Sequence, residues 1–316
     1  MRDKSQLLSQ IHPARDILSI SSHVVHGKVG NDAIQFPLNT RHWNVDCIHT
    51  TNLSNHPGYK QFKGSKSSPA LIESLFEGVR DIKLQYDAAI VGYVASKDIL
   101  ETIYQKILLQ LAEDTIVVVD PIMGDNGRLY VEEALVVLYK EIFSDERCEN
   151  LIDLVTPNQF EMEMLTDIKI SDLDTLKDAI RLFFKLYKVK HVVVTSVNFE
   201  DSDGMLCIGA KSDGEMYTVS VPKIDAVFSG SGDLFLGILT DRFVKSNGDL
   251  AGSLKHTVSV VHKVLEITYE LGIDQPPKRY VDGKPYVPAL RLVESRRFLQ
   301  EDYIVKCGVT TDTTFL

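Results

Sequence analysis

Cysteine is scarce and unpaired: Cys47, Cys148, Cys207 and Cys307 are scattered through 316 residues. That spacing excludes a disulfide framework and a cysteine zinc site. It reads as a reduced, cytoplasmic chain, the nucleus being the other reducing compartment. No apolar run approaches the ~20 residues that a membrane-spanning helix needs, and the polar N-terminus has no signal-peptide core. Basic residues are outnumbered, with 34 Lys and Arg against 44 Asp and Glu and a formal charge of −10. This argues against a nucleic acid or an anionic membrane as partner, while leaving room for local phosphate pockets. Two nucleotide signatures are missing as well. A Walker loop occurs nowhere, and the dinucleotide fingerprint fails because Phe235 stands where its third glycine belongs. The catalytic-loop and Asp-Phe-Gly signatures of protein kinases are also absent. What remains is a hydrophobic fraction of 44% and a charged fraction of 25%, usual for a soluble globular chain.

The most informative stretch that is present is Val227-Phe228-Ser229-Gly230-Ser231-Gly232-Asp233-Leu234-Phe235. Two glycines bracket a serine, an aspartate follows, and Leu234, Phe235, Ile238, Leu239 and Phe243 recur with helical spacing. A glycine loop that opens a helix gathers free backbone N–H groups and the positive end of the helix dipole, which suits an anion. Asp233 then places a proton acceptor beside that anion, the layout of a small-molecule kinase. An ordinary glycine turn with Asp233 as N-cap accounts for these nine residues equally well.

Short β-rich runs alternate with helical patterns along the chain. Strands are expected at 17–20, 45–51, 88–93, 116–119, 154–155 and 192–194, and a meander at 205–208 and 217–221. Helices are expected at 70–79, 99–111, 173–187, 234–243 and 250–271. The fully apolar run 116–119 suits a strand buried on both faces. The alternation predicts an α/β fold: a mostly parallel central sheet with helices on both faces. No linker or repeat interrupts it, so residues 16–306 are read as one domain, after a loose segment 1–15 and before a tail 307–316. The polar segment 52–68, marked by Pro57, Gly58 and Gly64, is expected to be a flap or lid, or else a plain surface loop.

Three further strand ends carry polar groups. Asp120 closes the buried strand, Pro121 stops it, and Gly124 turns the loop back so that Asp125 offers a second oxygen. In open parallel sheets ligands bind at the C-terminal strand ends, so such carboxylates are placed for Mg²⁺ and phosphates. Thr156-Pro157-Asn158-Gln159-Phe160-Glu161 repeats the pattern of strand end, proline turn and helix start. There Asn158 is suited to phosphate or ribose and Glu161 to metal-bound water. Thr195 and Ser196 end a third strand in hydroxyls. Turn-capping, a helix cap and strand polarity are the local alternatives, one for each piece. None of them accounts for all the pieces meeting on one edge of one sheet.

At this point the chain resembles the pyridoxal kinases of the ribokinase superfamily. Gly230-Ser231-Gly232-Asp233 matches the superfamily's Gly-x-Gly-Asp. The stretch 18–31, Phe36-Pro37-Leu38, Ser54-Asn55-His56-Pro57-Gly58-Tyr59, Gly92-Tyr93, Asp225-Ala226-Val227-Phe228 and Leu290-Arg291-Leu292-Val293 with Ser295 are similar to the family's patterns. The resemblance implies a ribokinase-like fold and transfer of the ATP γ-phosphoryl group to the 5′-hydroxymethyl group of pyridoxal, pyridoxine or pyridoxamine. It implies Asp233 as acceptor of the hydroxyl proton and Gly230, Ser231 and Gly232 as the anion hole. Ser22, Val29 and Tyr93 would line the pyridoxal pocket, with Leu53 and Pro57 on a closing flap. Asp120, Asp125 and Glu161 would organise Mg²⁺ or another divalent ion such as Zn²⁺. Asn158, Thr195 and Ser196 would touch the triphosphate, and Ile224, Asp225 and Ala226 the nucleotide. A monovalent cation, K⁺ or Na⁺, would sit near Asp120, Thr156, Thr195 and Gly230, and the protein would be a homodimer. Pro57 departs from the threonine that many relatives carry. A hydroxymethylpyrimidine-type kinase and an inactive vitamin B6 carrier are the alternatives, and the intact acidic set argues against the carrier.

Overall fold

A computed structural model describes residues 13–125, 127–199, 204–276, 278–281 and 283–300, and the backbone of 311–315. The chain opens with β1 (Arg15–His26), α1 (Asn31–Asn39), β2 (Trp43–Asn55), β3 (Gly64–Lys66) and α2 (Pro69–Asp81). Next come β4 (Ala88–Val91), α3 (Lys97–Thr102), β5 (Ile116–Val119), a ribbon of β6 (Gly124–Asp125) and β7 (Arg128–Leu129), and α4 (Glu133–Ser144). β8 (Leu154–Val155), α5 (Gln159–Thr166), α6 (Leu173–Leu186) and β9 (His191–Val197) follow. The last part holds β10 (Met205–Lys211), β11 (Glu215–Val221), β12 (Val227–Phe228), α7 (Ser231–Lys245), α8 (Leu250–Gly272), β13 (Tyr280–Val281), β14 (Lys284–Val287), α9 (Arg296–Leu299) and β15 (Thr311–Phe315).

Ten strands form one sheet in the order β15-β11-β10-β9-β8-β5-β4-β1-β2-β3. The six from β9 to β2 run parallel, while β3, β10, β11 and β15 are antiparallel. Apolar side chains alternate between two cores. Val117 and Val119 face one while Val118 faces the other, and Val192 and Val194 are likewise opposed to Val193. Both faces are therefore covered, which is why these runs are unbroken valine. α7 is buried along most of its length, and Gly237 lets its backbone lie against α1, where an added Cβ would be 3.3 Å from the Ile34 carbonyl oxygen.

Several expectations shift. β1 begins at Arg15, inside the segment expected to be loose, whose residues 1–12 lie outside the described residues. Residues 301–310 and 316 lie outside them too, but Thr311–Phe315 of the expected tail is a strand paired with β11. The segment 52–68 is not an irregular loop: β2 continues to Asn55, and Leu53 pairs with Gly64. The stretch expected as one helix at 99–111 begins as α3 and passes into a π turn over Ile103–Ile107. α1 was not foreseen, because Pro37 within it reads as a break.

Candidate active site

Parallel strands bring their C-terminal ends to one edge, and backbone hydrogen bonds carry the register past the strands themselves. Gly92 N–H donates to Ile20, Asp120 N–H to Val91, Thr156 N–H to Val119 and Thr195 N–H to Pro157, all at 2.8–3.0 Å. Residues far apart in sequence thus stand side by side. The sheet switches direction at β1, which pairs with β2 on one side and β4 on the other, and such a switch opens a crevice.

The anion turn lies over that edge. Gly230 has φ +86°, and a Cβ there would collide with the Lys28 carbonyl oxygen, so only glycine fits. The first helical bond of α7 runs from Leu234 N–H to the Gly230 carbonyl, and no side chain caps the helix. The N–H groups of Ser231, Gly232 and Asp233 are therefore without helical acceptors. Nothing stands within 4 Å of a Cβ built on Gly232, so its side of the turn is open.

Asp233 faces the turn between β1 and α1. Its Oδ2 accepts from Gly30 N–H at 2.8 Å, while its Oδ1 is buried without a partner. Burial pushes this carboxyl up to about 6, the Gly30 hydrogen bond opposing the rise. Gly30 has φ +56°, and a Cβ there would strike Ser22, so this glycine keeps Ser22 close. Val29 is buried beside it, Tyr93 is half-buried, and the Tyr93 N–H donates to Ser21 Oγ at 3.2 Å.

Asp120 is buried at the end of β5. Burial, then the negative charges of Glu161 and Asp233, hold its carboxyl well above the usual range, and Thr156 beside it works the other way. The Thr156 hydroxyl has no hydrogen bond of normal geometry. Glu161 is buried and already occupied. Its Oε1 accepts from the Met123 and Gly124 N–H groups at 2.8 and 3.3 Å, and its Oε2 from Asn158 N–H at 2.8 Å. Asn158 returns a bond from Glu161 N–H to its own Oδ1, and its Nδ2 donates to the Gly124 carbonyl. Burial pushes Glu161 up to about 8, against these three donors. Glu161 thus fastens the 123–124 loop. Asp125 at its tip is exposed, and its charge raises Glu161 further.

Among the described residues no three His, Cys, Asp or Glu side chains are gathered as a metal cluster. The set is oxygen only, and two of its oxygens, Asp233 Oδ1 and Thr156 Oγ1, are buried without partners. It fits a hard cation such as Mg²⁺, which takes one or two carboxylates and completes its shell with phosphate and water. It does not suit Zn²⁺, which favours His and Cys.

Thr195 and Ser196 lie near the end of β9 beside Asn158, with which Thr195 forms a bridge. Ser196 is exposed with φ +55°, a left-handed conformation rare for a non-glycine residue in a strand. Ile224 and Asp225 line a groove of about 610 Å³ against Lys263, Glu266 and Glu270 of α8, with Ala226 next in the chain. Pro57 is exposed on the turn Pro57–Tyr59, and Leu53 is half-buried in the β2–β3 stem. His56, Ser229 and Tyr286 meet under that turn, and sequence reading missed all three as site residues, His56 standing only within the family-like stretch 54–59. Their only signal was adjacency to the anion loop for Ser229. For Tyr286 it was a strand, β14, whose pairing with β12 local pattern does not reveal.

A family model described as phosphomethylpyrimidine kinase matches residues 45–277. A Saccharomyces cerevisiae protein named provisionally as a pyridoxal kinase is 36% identical over 96% of this chain and 98% of its own length. Human pyridoxal kinase is 32% identical over 92% of this chain and 96% of its own. The pyridoxal kinase of Leishmania donovani, solved with ADP and pyridoxamine, superposes with a TM-score of 0.83 at 26% identity, covering 95% of this chain and 99% of that one. The chain belongs to the pyridoxal kinase family of the ribokinase superfamily.

Proposed function

We propose that the chain transfers the γ-phosphoryl group of ATP to the 5′-hydroxymethyl oxygen of pyridoxal, with pyridoxine and pyridoxamine as further acceptors. The products are pyridoxal 5′-phosphate and ADP. The observation that carries this is the unpartnered Asp233 Oδ1 beside the bare N–H groups of residues 231–233. In-line transfer is mostly positioning and charge stabilisation. The new bond joins the substrate oxygen to phosphorus as the bond to the leaving β-phosphate oxygen breaks. Asp233 orients the hydroxyl and takes its proton as the new bond forms. A carboxyl near 6 holds that proton better than an ordinary aspartate and is still mostly ionised at neutral pH. The N–H groups of Ser231, Gly232 and Asp233 offset charge on the phosphoryl oxygens.

Ser22, Val29 and Tyr93 hold the pyridine ring, with Leu53 and Pro57 above it. Asn158, Thr195 and Ser196 touch the triphosphate, and Ile224, Asp225 and Ala226 border the nucleotide. Asp120 and Asp125 would hold Mg²⁺, with Glu161 fixing the loop between them. Bound there, Mg²⁺ supplies positive charge to the phosphate oxygens. Asp120, Thr156, Thr195 and Gly230 are assigned to a monovalent cation, K⁺ or Na⁺. We also read the protein as a cytoplasmic homodimer of one catalytic domain, acting on small molecules.

The test is ATP- and Mg²⁺-dependent phosphorylation of pyridoxal by the purified chain, with hydroxymethylpyrimidine and ribose in parallel. Selective turnover of pyridoxal is the expected result. Activity on the pyrimidine alone would move the substrate, and binding without turnover would make the protein a carrier.

A further inference from the structure

Under the turn Pro57–Tyr59, three side chains from distant parts of the chain form one hydrogen-bonded cluster. Ser229 Oγ lies 2.7 Å from Tyr286 Oη and 3.3 Å from His56 Nδ1, and Tyr286 Oη lies 3.4 Å from the same nitrogen. His56 Nδ1 also accepts from Gly58 N–H at 3.1 Å. A backbone N–H only donates, so Nδ1 is the unprotonated ring nitrogen. One hydroxyl proton is then directed to it and the other passes between Ser229 and Tyr286. Burial lowers the basicity of His56, in keeping with a neutral ring. The turn is held elsewhere too. Arg279 stacks over the Tyr59 ring at 4.4 Å, and His26 at the end of β1 meets its edge. A Cβ built on Gly58 would collide with Tyr286 Oη, so the turn is seated directly on that hydroxyl.

Ser229 is the residue before Gly230, where the anion turn begins, and Tyr286 sits on β14 opposite Val227 of β12. We propose that His56, Ser229 and Tyr286 form a junction that makes seating of the flap and setting of the phosphate turn a single event. They are positioning residues for phosphoryl transfer, acting through Gly230–Asp233 and not on the reacting atoms. The inference rests on the kinase reading above and adds to it how the acceptor pocket reports closure to the phosphate site.

The variants are Ser229→Ala, Tyr286→Phe, their combination, and Ser229→Thr, which keeps the hydroxyl. Each removal is expected to lower kcat about five- to tenfold, the scale of one neutral hydrogen bond, with KM for ATP within about twofold. Because the three groups act as a unit, the double variant is expected to be no worse than either single one, and Ser229→Thr to restore turnover. Amide exchange in the free protein is expected to quicken at Gly58 and Tyr59, and also at Leu234, whose N–H closes the phosphate turn on the Gly230 carbonyl. Losses that multiply in the double variant would overturn the junction. So would faster exchange at the flap alone. If the wild-type chain does not phosphorylate pyridoxal, the kinase reading fails, and exchange at Gly58 and Leu234 in Tyr286→Phe still decides the junction.

Discussion

Asp233 combines two properties that sequence inspection could not separate, a free oxygen at the anion turn and a raised pKa. Asp233→Asn is expected to lower kcat by about 10²–10⁴, the scale of a general acid–base group. Asn keeps an oxygen for Gly30 N–H and removes a carboxylate whose ionised form is disfavoured by burial. Its melting temperature at pH 8, where Asp233 is charged, is therefore expected to be no lower than wild type. The same carboxyl sets a pH limb: kcat/KM is expected to fall as pH drops through about 6, as the acceptor becomes protonated. A profile flat across that range in the wild type would remove Asp233 from the role. The residue itself was legible, because a carboxylate following a Gly-Ser-Gly turn has few local reasons to be there. Its pKa was not, since desolvation depends on what Gly30 and the neighbouring strand ends place around it.

Within the anion turn, two glycines of one motif carry different loads. Gly230 is needed by the backbone, with its positive φ and the Lys28 carbonyl against it, whereas Gly232 faces open space in a helical conformation. Gly230→Ala is expected to lower the melting temperature and the activity together. Gly232→Ala is expected to leave the melting temperature in place while reducing kcat/KM for ATP by about tenfold or more, as a donor approach is crowded. Thermal melts beside steady-state kinetics separate the two. In α5, Glu161→Gln replaces an acceptor of three backbone N–H groups by an amide with one oxygen, which leaves a buried donor unmatched. The expected cost is about 1–3 kcal/mol by urea unfolding. Glu161 was expected to organise metal. The structure instead fills both its oxygens with backbone donors, a use the capping pattern Asn158-x-x-Glu161 allowed but could not distinguish.

The whole molecule is also held at a point away from the site. Arg41 is fully buried and pairs with Asp241 at 2.8 Å, and Trp43 Nε1 and Lys245 Nζ donate to the other Asp241 oxygen. This ties the α1–β2 connection and β2 to α7. Asp241→Ala would leave Arg41 buried without its partner, at an expected cost of about 3–5 kcal/mol. Arg41 Nη2 also donates to His256 Nε2 at 3.0 Å, and burial followed by the Arg41 and Arg242 charges pushes His256 down to about 4. His49, His56 and His191 are lowered as well, each chiefly by burial. In the unfolded chain these rings protonate near 6.5, so between there and about 4 the unfolded state binds more protons. The stability that these neutral rings contribute is therefore present above 6.5 and lost as pH falls, whereas the raised carboxyls of Asp120, Glu161 and Asp233 act in the opposite sense, since there the folded state binds the extra proton. His256→Gln, neutral throughout, removes the His256 part alone, so its melting temperature relative to wild type is expected to rise as pH falls from 6.5 to about 4. A difference between the two proteins that stays constant with pH would mean that His256 carries none of this dependence.

The amino-acid sequence by itself determined the fold class, the anion turn and the acidic strand ends. Apolar runs of period one or two, glycine turns and strand-end carboxylates are local, and each is read within about ten residues of chain. What only the tertiary structure decided is how distant pieces meet. β2 and β3 pair into a hairpin, Tyr286 on β14 reaches Ser229 and His56, and Arg41 is buried against Asp241. Those contacts depend on register and crossover between segments up to some 230 residues apart, and on a dielectric that only packing creates.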